Sequence, residues 1–91
     1  VFREAADAVA TYRHVREAAA LKGALCDAAR EYVRLAHLQY RAGSINYIDV
    51  LDAQRRYFDA QIGLSNAVRD EHLALVGLYK ALGGGWQTGA E

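Results

Sequence analysis

The chain has 91 residues, no proline and one cysteine, and its 11 basic residues are balanced by 11 acidic ones, for a formal net charge of zero. That length holds one small domain or part of a larger one, and the charge balance lacks the basic footprint of nucleic-acid binding, so no nucleic-acid partner is expected. A lone Cys26 excludes an internal disulfide framework, and no apolar run approaches the roughly 18 residues of a membrane-spanning helix.

Strand-like alternation is missing, and an Ala-rich composition with Leu, Glu, Arg and Gln favours long helices. The expected class is therefore all-α, a long antiparallel helical hairpin with a coiled-coil-like seam. The chain opens at Val1 inside a helical pattern and closes on Gly89-Ala90-Glu91, which reads as a piece of a larger protein.

The first helix is expected over residues 1–41. Val1, Ala5, Ala8, Tyr12, Val15, Ala19, Cys26, Ala29, Val33, Ala36 and Tyr40 follow a 3-4 rhythm interrupted at Lys22. This is a heptad seam. A second apolar line, Leu21, Leu25, Ala28, Tyr32, Leu35 and Leu38, runs beside it and predicts packing against more than one neighbour. Arg3–Asp7, Arg13–Glu17 and Arg55–Asp59 stand at helical i,i+4 spacing and read as ion pairs on a solvated face.

The tip is expected over residues 42–46. Gly43 follows the last periodic residues, where a left-handed residue ends a helix at no steric cost to glycine. Arg41 suits the negative end of the helix dipole. Ser44 or Asn46 can cap the next helix, with Asn46 preferred because Asp49 falls three residues on. So short a turn predicts antiparallel neighbours.

The second helix is expected over residues 47–82. Alanine recurs every seventh residue at Ala53, Ala60, Ala67, Ala74 and Ala81, flanked by Val50, Tyr57, Leu64 and Leu78, with Val68, Leu75 and Leu82 one step round. Such a ladder lets helix axes approach closely, and Gly63 and Gly77 predict close neighbours that offset their helix cost. Gly83-Gly84-Gly85 is expected to end the helix and begin a glycine-rich tail over 83–91, with Trp86 as an outside anchor.

No enzyme is read here, and no cofactor or metal is expected. His14, His37 and His72 lack metal-ligand spacing. Cys26 lies within the seam, and Ser44 and Ser65 lack a nucleophile motif. The glycine run follows a helix and lacks the Lys-Ser/Thr of a phosphate loop.

The ordered set Tyr40-x-x-Gly43-Ser44, Asp49-Val50-Leu51-Asp52-Ala53-Gln54-Arg55, Ala60-Gln61 and Leu78-Tyr79-Lys80-Ala81-Leu82-Gly83-Gly84-Gly85-Trp86 resembles the C-terminal part of TolC-like outer-membrane efflux proteins. The nearest branch is the NodT-like lipoprotein group. Phe2-x-Glu4-x-x-Asp7-Ala8 resembles the start of that family's last descending helix, so the resemblance covers nearly the whole chain.

The resemblance implies a segment of a homotrimeric outer-membrane channel in a Gram-negative tripartite pump. The chain would be a fragment of its periplasmic α-barrel, with the membrane strands and an amino-terminal lipidated cysteine supplied elsewhere. It further implies that Ala42, Gly43 and Ser44 dock a periplasmic adaptor, and that Tyr40, Asp49 and Asp52 form a gate. Ile45 replaces a basic residue often found in the turn of the best-known relative, with Arg41 as a substitute. Independently, threefold symmetry would make rings of Asp49 and Asp52, which favour cations in a constriction; both could instead offset the helix dipole. The alternative function is a free-standing helical hairpin that mediates protein–protein contacts.

Overall fold

A computed structural model describes the backbone of residues 2–90 and the side chains of residues 3–83. The described residues form two helices and no strand: α1 over Phe2–Arg41 and α2 over Tyr47–Ala90. Glu4 in the first turn of α1, Arg41 in its last and Asp49 in the first turn of α2 each carry the charge that suits the local helix dipole. The all-α class expected from the sequence is the observed one.

The chain divides into two compact units, Ala20–Ser65 and Val1–Ala19 with Asn66–Glu91. In Ala20–Ser65 the helices run antiparallel on either side of the turn. Ala36, Val50 and Ala53 form a buried cluster against which Val33 and Ile45 pack. Val50 and Ala53 are 0% exposed. Cys26 is buried in the same seam as a free thiol. Farther from the turn, the Lys22 Cδ lies 3.9 Å from where a Cβ on Gly63 would stand, and Leu64 Cδ1 lies 3.9 Å from the equivalent point on Gly23. The Lys22 interruption thus lays its apolar stem along the seam.

In the unit made of Val1–Ala19 and Asn66–Glu91, the same periodicity governs burial. Ala19 and Ala67 are buried, and Ala5, Ala8, Tyr12, Val15, Ala74, Leu78 and Ala81 are half-buried. In both units, then, the heptad seam and the alanine ladder are the least exposed stripes of their helices. The second line on α1 is different: Leu21, Leu25, Tyr32, Leu35 and Leu38 remain exposed. So do Ile48, Leu51, Phe58 and Ile62 on α2.

Several expectations require correction. The helix of residues 47–82 does not stop at Leu82; its backbone stays helical to Ala90, so residues 83–90 are not an irregular tail. Glycine weakens a helix by about 1 kcal/mol per residue but keeps its N–H, and so it does not forbid continuation as proline does. The side chain of Trp86, and with it the expected anchor, lies outside the described residues, as does Val1. Among the described residues a Cβ at Gly63 would make only ordinary contact, with the Lys22 stem, and one at Gly77 would meet nothing within 4 Å, so neither glycine is required by close approach here. Leu75 and Leu82 are exposed, and of that line Val68 alone is half-buried.

The ion pairs also differ. Those formed among the described residues are Asp27–Arg30, Glu31–Arg34, Asp52–Arg55, Asp52–Arg56 and Arg69–Asp70. On a helix an acid placed before its base is the better orientation. The anticipated pairs Arg3–Asp7, Arg13–Glu17 and Arg55–Asp59 have the reverse order. Arg55 turns back to Asp52 instead.

Two substitutions separate the roles of glycine here. Gly43→Ala should lower the stability of the hairpin by about 1–2 kcal/mol, because its φ of +79° is left-handed. Gly77→Ala should raise stability by about 0.5–1 kcal/mol, because a methyl group there meets open space. Thermal unfolding followed by circular dichroism at matched protein concentration reads both, and shifts of the same sign would contradict this assignment.

Candidate functional site

The tip is built by two interlocking caps. At the end of α1, the Gly43 N–H donates to the Tyr40 carbonyl at 3.0 Å and the Ser44 N–H to the Gln39 carbonyl at 2.9 Å. With Gly43 at positive φ, this is a Schellman closure, which satisfies carbonyls the helix would otherwise leave unpaired. Ile45, one residue beyond the closure, then folds onto the Ala36–Val50–Ala53 cluster.

The second cap starts α2. Asn46 takes the capping position, as its spacing to Asp49 indicates. The Asn46 N–H donates to Oδ2 of Asp49 at 3.3 Å, and the Asp49 N–H donates to the Asn46 carbonyl at 3.0 Å. The carboxylate reaching back is half of a capping box. Asp49 therefore contributes to folding, whatever else it does.

The six residues singled out by sequence all lie in this unit. Ala42, Gly43 and Ser44 are exposed on the turn itself, so the reversal presents them to solvent. Tyr40 does not extend the buried seam; it is exposed and meets Tyr47 edge-on, with ring centroids 5.2 Å apart and planes at 62°. That geometry suits the quadrupoles of two aromatic rings. Asp49 is exposed and Asp52 half-buried, so the two carboxylates share the first turns of α2 but not the same surroundings.

Asp52 accepts from Arg56 Nε at 2.9 Å and from Arg55 Nη2 at 3.3 Å. The hydrogen bond from Arg56 is the main reason its carboxyl is held below the ordinary aspartate value, with the nearby charges of both arginines acting in the same direction. His37 Nε2 lies 3.3 Å from Gln54 Nε2, a polar link across the hairpin. Among the described residues no three metal-ligating side chains cluster, and no helix is long and apolar enough to cross a membrane.

Sequence reasoning missed four contributors. Tyr47 and Ile48 carry exposed apolar surface beside the turn, Ile48 at 75% exposure. Arg55 and Arg56 embrace Asp52. The acid-before-base order at i,i+3 and i,i+4 was the available signal for the arginines. For Tyr47, position N1 of a helix packed beside the end of another was the signal.

Residues 1–84 match the family model described as outer membrane efflux protein. The chain is 39% identical over 88 residues to outer membrane protein OprJ of Pseudomonas aeruginosa, a match covering 97% of this chain and 18% of that protein. It is 41% identical over 87 residues to the solvent efflux pump outer membrane protein SrpC of Pseudomonas putida, covering 96% of this chain and 18% of that one. Over 90 residues it is 40% identical to the probable efflux pump outer membrane protein TtgC of Pseudomonas putida KT2440, covering 97% and 19% respectively. The chain thus spans less than a fifth of the length of the curated relatives it matches. No solved structure gives a significant match.

The paired state of Asp52 has a measurable consequence. A carboxyl whose folded pKa is depressed stabilises the fold above its unfolded value, and that contribution is lost as pH falls through the folded value. Carbon-detected NMR should find Asp52 titrating below the ordinary aspartate value, and Arg56→Gln should move it upward. Titration of Asp52 at the ordinary value in the unmodified chain would show that the pair does not persist in solution.

Proposed function

The chain belongs to the outer membrane efflux protein family, and we propose that it forms the last periplasmic helical hairpin of a homotrimeric export channel in a tripartite pump. In this reading the heptad seam holds the hairpin closed, and the alanine ladder sits within the tunnel wall. The exposed lines on α1 and α2 are covered by neighbouring helices of the same trimer. Cargo passes through without chemical change, so no catalytic group is required. The channel resides in the outer membrane, held there by parts outside this chain, including a lipidated amino terminus, and the hairpin projects into the periplasm.

The tip carries two roles. Ala42, Gly43 and Ser44 are the docking surface for the periplasmic adaptor, and Tyr40, Asp49 and Asp52 line the constriction where neighbouring tips converge. The observation that supports this reading most is the rigid, exposed turn: double capping fixes its backbone while leaving Ala42–Ser44 uncovered. A surface of that kind loses little conformational freedom on binding. Ile45 packs inward, so the turn position that is basic in the best-known relative here supports the core.

Drug-susceptibility assays on cells expressing the full-length protein test the docking role. Gly43→Asp should abolish resistance with normal membrane levels of the channel, because it adds a charge to the contact surface. Gly43→Asn is the backbone control, since asparagine tolerates the left-handed conformation; it should keep the trimer intact and lose less resistance. Full resistance with Gly43→Asp at normal levels would contradict the docking assignment.

A further inference from the structure

The two carboxylates of the tip differ in what compensates them. Asp49 accepts from a neutral backbone N–H, that of Asn46, at 3.3 Å. Asp52 lies between two guanidiniums, with Arg56 Nε at 2.9 Å and Arg55 Nη2 at 3.3 Å. A neutral donor leaves the charge of Asp49 in place, whereas two cations beside Asp52 outweigh it. Building on the proposal that this tip lines a constriction, we propose that Arg55 and Arg56 set its ion selectivity by cancelling the field of Asp52, leaving Asp49 as the source of negative potential.

The strength of the ion pairs is not what matters. Exposed pairs of this kind contribute little to stability, because water screens them and the side chains lose freedom. Selectivity depends instead on where charge resides. Arg55 and Arg56 are tethered three and four residues beyond Asp52 on the same helix. Their charge therefore stays near the carboxylate even when a contact opens, within the Debye length of about 8 Å at physiological ionic strength. Arginine also stays charged at any pH where the protein is folded, and its fork suits a carboxylate.

Over the first three turns of α2, the carboxylates of Asp49 and Asp52 are thus matched by two guanidiniums. Rings of bare carboxylates concentrate cations and bind divalent ions at a constriction. A ring in which Asp52 is overcompensated does not, and the remaining attraction for cations comes from Asp49. Asp52 becomes a positioning residue that holds the two guanidiniums near the constriction.

The test uses the full-length channel in planar lipid bilayers. Reversal potential in a potassium chloride gradient reads selectivity, and cobalt(II) added on the periplasmic side reads divalent block. Replacing both arginines (Arg55→Gln with Arg56→Gln) should move the reversal potential toward that of potassium and lower the half-blocking cobalt concentration severalfold. Adding Asp52→Asn to that variant should return both readouts toward wild type, a reversal that a general structural disturbance would not produce. In the wild-type background, Asp49→Asn should weaken cation preference. If Asp49→Asn shifts selectivity while the arginine variant matches wild type, the role of Arg55 and Arg56 is overturned and the constriction stands. If Asp49→Asn is silent too, the tip is not the constriction and the inference falls with it.

Discussion

The left-handed backbone of Gly43 is the constraint on which the tip depends. With φ at +79°, the chain leaves α1 in a Schellman closure and delivers Ile45 to the interior before Asn46 opens α2. That short path fixes which residues of the two helices face each other. Val50 and Ala53 consequently meet Ala36 and are fully covered. A residue with a Cβ at position 43 would strain the closure, and the register of the seam beside it would lose its anchor.

The seam and the turn divide the work of the sequence. Alanine and small apolar residues occupy the buried heptad positions and bring the helices together, and many of the large apolar residues are placed elsewhere. Leu21, Leu25, Tyr32 and Leu35 on α1, with Leu51, Phe58 and Ile62 on α2, stay exposed in the chain alone. A helix with two apolar lines satisfies only one of them in a two-helix arrangement. The proposed channel wall, in which each helix would have neighbours on both sides, gives a physical reason for the surplus.

Much of this was legible in the sequence because the relevant forces are local and periodic. The heptad spacing identified Ala19, Cys26, Ala36, Val50, Ala53 and Ala67 as interior, and all are buried. Gly43 and the Asn46–Asp49 spacing marked the two caps. What was not legible depended on competition between local options. Arg55 stands between Asp52 and Asp59, and residue spacing alone does not say which it joins; the acid-first order decides for Asp52. Tyr40 fits the heptad count, yet it lies in the last turn of the helix and its ring meets Tyr47. The glycine run looked like a stop because glycine is a poor helix former, but a poor former without a competing turn lets the helix continue to Ala90.

In the proposed channel segment, the doubly capped turn and the charges just beyond it are assigned to the docking and constriction end. The most direct measurement is site-specific photocrosslinking in cells from a photoreactive residue at position 44 of the full-length protein, with position 79 as the reference. A tip that docks the adaptor predicts a crosslink to the periplasmic adaptor of the same pump from position 44 and none from position 79. An adaptor crosslink from position 79 with none from 44, at equal channel levels, would contradict the assignment of this turn as the docking end.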